Sequence, residues 1–139
     1  MSKYFKGIEA NMNKDFLFVL DAAREFAGIP FVINSAYRSP NHPLSVKNPT
    51  SSHIKGLAVD IKATDNETRF KIVEALISVG FTRIGIADTF IHVDLDFEKR
   101  HGYRKYISQQ LPYMIAIDQI CKSRGIKLIM GSFHERNWY

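Results

Sequence analysis

Phe16, Leu17, Val19, Leu20, Ala23 and Phe26 recur at the i, i+3, i+4, i+7 spacing of one helix face, which predicts a helix behind Asn13. Asn13 can cap its start, Gly28 can end it, and Pro30 forbids continuation. "FVINSAY", residues 31–37, is β-rich and predicts a strand. "RSPNHPLSVKNPTSS", residues 38–52, holds three prolines among Asn and Ser and predicts a long loop, a length usually functional inside a compact domain. "LAVDIKA", 57–63, predicts a second strand. Asp65 can cap a helix running through Ile72, Val73, Leu76 and Ile77 to Gly80. "RIGIA", 83–87, and "FIHVDLD", 90–96, predict two short strands joined at Ala87-Asp88-Thr89. A charged connector, 97–106, leads to a helix over about Leu111 to Lys122, then Gly125 and a strand in "IKLIM". This tail echoes the first helix–Gly–strand unit with too few identities for a duplication. Helices among short strands, without regular βαβ alternation, predict an α+β domain with flanking helices on a small, largely antiparallel sheet.

Two of these strands carry chemistry on one face. In "FIHVDLD", His92, Asp94 and Asp96 alternate with Ile91, Val93 and Leu95, so the apolar set packs inward and the polar set meets solvent or a site. In "LAVDI", Ala58 and Asp60 share the face opposite Leu57, Val59 and Ile61. Aspartate suits the middle of a buried strand poorly, so Asp60 needs a partner. If the two strands are neighbours, Asp60 and His92 converge, and His53, just before the second strand, can join them. Gly56 lets the backbone bend between His53 and that strand. Two imidazoles and a carboxylate form a catalytic zinc set with a fourth position open. Taken singly, each histidine equally fits a hydrogen-bonded surface or core residue.

Bulk properties narrow the picture. At 139 residues, 45% hydrophobic and 24% charged, the chain has the size and balance of one globular domain. No apolar run is long enough to span a membrane, and the N-terminal stretch lacks the apolar core of a signal peptide. The expectation is synthesis in a cytoplasm, with any work at a cell wall needing another exit route. A single cysteine, Cys121, excludes an internal disulfide and a thiolate cluster, leaving metal binding to His and carboxylate. Residues 1–97 carry 11 basic and 11 acidic side chains, whereas 98–139 carry 8 and 3, so the whole net charge of +5 sits in the tail. That tail suits a polyanion such as a cell wall, or simply a solvated face.

"SAYRSPNH", "SSHIKGLAVDI" and "RIGIADTFIHVDLD", in this order and spacing, resemble the M15 family of zinc D-alanyl-D-alanine peptidases, most closely its small phage and bacterial members. The resemblance covers about residues 5–97. It implies a hedgehog/D,D-peptidase-like fold with residues 1–97 as the peptidase core; the tail, 98–139, lies outside the resemblance and is expected to be a basic helix–strand extension of the same domain. Carried over residue by residue, it implies one zinc ion held by His53, Asp60 and His92. Arg38 matches the family's substrate-binding arginine, able to fork onto a carboxylate or stabilise an oxyanion. Ser51 matches the serine before the first ligand, which contacts substrate or holds the loop. His42 lies where the family tends to have a loop histidine, and a mobile residue is expected there.

One departure concerns the general base. Many relatives place Glu or Asp three residues before the last zinc histidine, and others place His two before it; here those positions are Thr89 and Phe90. The local carboxylates are Asp94, a base or an orienting partner of a zinc histidine, and Asp88, an alternative base or a turn residue. The expected activity is zinc-dependent hydrolysis of peptide bonds in peptidoglycan stem peptides, D-alanine-containing bonds in particular, as in a phage endolysin or a cytoplasmic D,D-peptidase. The alternatives are a non-catalytic zinc-containing wall-binding module and a nucleic-acid binder using the basic tail, for which no recognisable motif is present. Outside the resemblance, His101 and His134 are expected to be ordinary surface histidines, and Trp138 and Tyr139 to pack back onto the body.

Overall fold

A computed structural model describes residues 1–99, 102–105, 119, 123 and 128–130. In chain order the elements are α1 (Lys14–Ala27), β1 (Ile33–Ser35), α2 (Pro43–Lys47), β2 (Ala58–Lys62), α3 (Asn66–Ser78), β3 (Arg83–Ile86), β4 (Phe90–Asp94), β5 (Gly102–Lys105) and β6 (Leu128–Met130). The sheet order is β1-β2-β4-β3-β5-β6. The first four strands pair antiparallel, while β5 runs parallel to β3 and β6 parallel to β5. The α+β class and the mainly antiparallel sheet are as expected.

The helices form where capping and periodicity place them. Asn13 accepts from the Phe16 amide at 2.9 Å, and Asp65 accepts from the Thr68 amide at 2.8 Å, each satisfying an otherwise orphaned N–H. Gly28 ends α1 at φ 68°, a left-handed conformation that favours glycine. The inner face of α1 (Phe16, Leu17, Leu20, Ala23) packs on α3 and on the sheet's Val59, Ile61, Ile84, Ile86, Ile91 and Val93. Each such side chain taken out of water contributes roughly 1.5–3 kcal/mol. Phe16 meets Phe81 edge-on, ring centroids 5.8 Å apart. Phe26, grouped with the inner face by spacing, is instead 56% exposed at the last turn of α1.

Three local expectations change. The strand expected over 31–37 shortens to Ile33–Ser35, and a register shift between Ile33 and Ser35 interrupts its ladder to β2. The loop expected over 38–52 contains α2, whose Pro43 sits in the first turn where its missing N–H costs nothing. His42, expected to be mobile, caps that helix: its Nδ1 accepts from the Leu44 amide at 3.1 Å. The charged connector over 97–106 contains β5. Of the tail, Gln119 and Ser123 are helical and Leu128–Met130 is a strand, as expected. The rest of the helix expected over 111–122, with Cys121, His101, His134, Trp138 and Tyr139, lies outside the described residues.

Candidate metal centre

Strand pairing alone brings the first two residues together. Asp60 on β2 stands directly across from His92 on β4, and Ala58 stands across from Asp94. Cross-strand neighbours in an antiparallel pair are within side-chain reach, and His92 Nδ1 lies 2.9 Å from Asp60 Oδ1. His53 arrives from the turn before β2. Gly56, at φ 68°, reverses the chain there, and Leu57 returns its amide to the Ser52 carbonyl at 3.1 Å. His53 Nε2 reaches the same Asp60 oxygen at 3.4 Å, and the two imidazole rings stand 5.4 Å apart. One donor atom from each of His53, Asp60 and His92 falls within 4.8 Å of the others.

Both imidazoles have their second nitrogen engaged, which determines the lone pair left over. His53 Nδ1 donates to the Ala36 carbonyl at 2.8 Å, so Nε2 is the nitrogen turned toward Asp60. His92 Nε2 donates to Asp94 Oδ2 at 2.7 Å, so Nδ1 is the nitrogen turned toward Asp60 and the centre. Two imidazole lone pairs and a carboxylate aimed at one point are the donor set of a catalytic zinc centre with an open position. The 2.9 and 3.4 Å separations bracket the ~3.3 Å between neighbouring ligands of a tetrahedral ion with bonds of ~2.0–2.1 Å. The residues fit a divalent cation.

Asp94 is fully buried with both oxygens occupied: Oδ2 accepts from His92 and from Arg83 Nε at 2.8 Å, and Oδ1 accepts from the Asp96 amide at 3.1 Å. Of the two roles considered for it, this environment suits the carboxylate that orients a ligand. Asp88 is exposed in the β3–β4 turn and is not among the three residues that converge; its backbone carbonyl accepts from Arg69. Arg38 is half-buried beside the His53 turn, its amide donating to the His53 carbonyl at 3.1 Å and its Nη2 to Ser35 Oγ at 3.0 Å. Ser51 is buried and its Oγ accepts from the His53 amide at 3.3 Å, the loop-holding arrangement of the two considered.

Sequence reasoning missed Arg83 and the Ala36 carbonyl. Arg83 carried a signal: an arginine opens an otherwise apolar strand, and the register Ile84↔Val93 extended by one step sets it against Asp94. The Ala36 carbonyl carried none, since it depends on where β1 ends.

Burial disfavours the Asp60 carboxylate, but hydrogen bonds from His53 and His92 overcome this and hold its pKa well below the usual range. Burial likewise opposes charge on His92, yet its bonds to Asp60 and Asp94 raise its pKa to about 9. His92, raised from 6.5, stabilises the chelator-treated fold fully below pH 6.5, and that contribution is lost as pH rises through about 9. Asp60, depressed from 3.8, contributes above pH 3.8 and loses its contribution as pH falls further. A cation on Nδ1 replaces a proton, so below about pH 9 binding releases one proton and affinity falls about tenfold per unit of acidification. Calorimetric titrations in buffers of different ionisation enthalpy check this: proton release near zero at pH 7 contradicts the expected exchange.

The model of the peptidase M15 family matches residues 1–94. This chain belongs to the peptidase M15 family. Its peptidases are metal-dependent, and the His53–Asp60–His92 group lies inside the matched segment. No curated protein and no solved structure matches the chain. The family match ends at Asp94, before β5 and β6. No described helix is long and apolar enough to cross a membrane.

Proposed function

We propose that this M15 peptidase holds one zinc ion on His53, Asp60 and His92 and hydrolyses peptide bonds in peptidoglycan stem peptides, D-alanine-containing bonds in particular. The convergence of the three donor atoms, with both imidazole tautomers determined by their outer partners, carries the reading. A zinc ion there supplies a Lewis acid for the scissile carbonyl and brings the pKa of a water to about 7. Asp94, backed by Arg83, keeps the His92 ring turned so that Nδ1 faces the centre. Arg38, next to the His53 turn, presents a guanidinium that can fork onto a substrate carboxylate. Of the two carboxylates considered as general base, Asp94 is enclosed and Asp88 is exposed in the β3–β4 turn.

A second reading, a wall-binding module that holds zinc without turnover, draws on Thr89 and Phe90 standing where relatives carry a base. Metal analysis of the purified chain, paired with product identification on peptidoglycan fragments before and after chelation, separates the two. The proposal expects about one zinc per chain and cleavage products that vanish on chelation and return with added zinc. An Asp88→Asn variant with unchanged turnover and metal content removes Asp88 as the general base. Zinc-loaded protein that binds wall and releases no fragment establishes the second reading.

A further inference from the structure

Asp96 follows β4 by two residues and is 1% exposed, yet it is ionisable and lies outside the donor set described above. Its neighbours come from the far side of the centre. Ser52 Oγ donates to Asp96 Oδ2 at 2.8 Å, and Lys55 Nζ lies 3.0 and 3.2 Å from its two oxygens. Ser52 and Lys55 flank His53 in the turn that precedes β2. Lys99 Nζ approaches the same carboxylate at 3.8 Å, and Lys55 is also held by Glu98 at 2.9 Å. The Leu95 amide donates to the Leu57 carbonyl at 3.0 Å, extending the β2–β4 ladder to the foot of this turn. Burial, and then the Arg83 charge, lower the Lys99 pKa to about 8, while Arg83 pairs with Asp94 and Lys99 with Asp96.

Resting on the metal-centre reading, we infer that Asp96 is a positioning residue: it clasps the His53-bearing turn, through Ser52 and Lys55, to the chain leaving the His92-bearing strand, and so sets the spacing between the two histidines. The other bonds described for His53, from its Nδ1 to the Ala36 carbonyl and from the Arg38 amide to its carbonyl, tie its turn to the chain after β1, whereas Asp96 ties that turn to the chain leaving β4. The turn is five residues of irregular backbone, and irregular turns open more readily than strands. A buried carboxylate gripping both sides of His53 removes that freedom at the one place where sub-ångström spacing decides whether three donors share an ion. Asp94 orients the ring of one histidine, whereas Asp96 locates the backbone of the other. The two act on different coordinates of the same centre.

The test measures zinc affinity by chelator competition and the visible spectrum of the cobalt-substituted chain, for the unsubstituted protein and for Asp96→Asn, Ser52→Ala and Ile72→Val. Asn keeps the shape of Asp96 and removes the charge that grips Lys55. Ile72→Val loosens the core at α3 and reports on general destabilisation. The inference expects Asp96→Asn to weaken zinc binding about 10–100-fold and to shift the cobalt bands, as loss of an outer partner does. Ser52→Ala weakens binding several-fold in the same direction, and Ile72→Val stays within twofold. Asp96→Asn and Ser52→Ala both within twofold of the unsubstituted chain overturn the clasp, as does an equal loss in Ile72→Val. Should Asp96→Asn fail to fold, Ser52→Ala decides by the same criterion. An unsubstituted chain that binds neither zinc nor cobalt overturns the metal centre itself and this inference with it, an outcome visible before any variant is made.

Discussion

Asp60→Asn lowers zinc affinity by more than about 100-fold, beyond the 10–100-fold typical of losing an outer partner, because it removes an inner anionic ligand. Asp60 Oδ1 is the atom both imidazoles address, at 2.9 Å from His92 and 3.4 Å from His53. Asparagine preserves volume and one carbonyl oxygen but not the negative charge, so the two histidines meet a neutral dipole. Peptidase turnover falls with the metal. The far-UV spectrum stays that of the unsubstituted chain, since the β2–β4 backbone ladder at Asp60↔His92 does not use the side chain. Zinc content by mass spectrometry after dialysis against a weak chelator decides the matter. A variant that retains one zinc per chain removes Asp60 from the donor set.

Gly56→Ala is expected to disrupt both fold and centre. Gly56 sits at φ 68°, and a Cβ there would overlap the Asn11 carbonyl oxygen and come within 3.2 Å of Met12 Cα. Both obstacles are backbone, so no side chain can swing aside. The same contact is cemented by the Asn13 amide, which donates to the Gly56 carbonyl at 2.9 Å just where Asn13 caps α1. Forcing the strands of chain apart disturbs the α1 cap on one side and the His53 turn on the other. Left-handed strain of about 1–2 kcal/mol adds to the displacement, for a total loss of roughly 3–5 kcal/mol, in the range of the most damaging single substitutions. Urea denaturation measures the loss, and zinc competition on whatever fraction folds shows His53 withdrawn from the centre. An Ala variant as stable as the unsubstituted chain would mean that the 11–13 segment does not press on this turn.

Much of the architecture was legible because local rules and tertiary packing agree. The α1 stripe from Phe16 to Ala23, its Asn13 cap and its Gly28 stop all survive in the fold, as do Asp65 at the start of α3 and the hairpin around Ala87-Asp88-Thr89. The errors cluster where the pattern was short or irregular. Phe26 groups with the stripe by spacing but is exposed in the last turn of α1. Residues 43–47 read as loop because two flanking prolines outweigh five residues of helix, a length at which propensity says little. The strand over 31–37 keeps only Ile33–Ser35, with a register shift inside it that depends on its partner strand.

The sequence by itself determined the donor chemistry: two histidines and an aspartate at fixed places in an alternating pattern, a glycine to bend the chain between them, and a single cysteine, too few for a thiolate cluster. Alternation settles which side chains share a face, because the β period is two and needs no knowledge of neighbours. Tertiary structure decided which strand lies beside which, and hence that Asp60 faces His92 with Asp94 and Arg83 behind it. It also decided which nitrogen of each imidazole is left to bind, through the Ala36 carbonyl and the Asp94 carboxylate. Those partners lie 17 residues away from His53 and two from His92. The first depends on where β1 ends beside the His53 turn, which only contacts across the sheet create, whereas the second joins neighbours on one strand face that the alternation already places together.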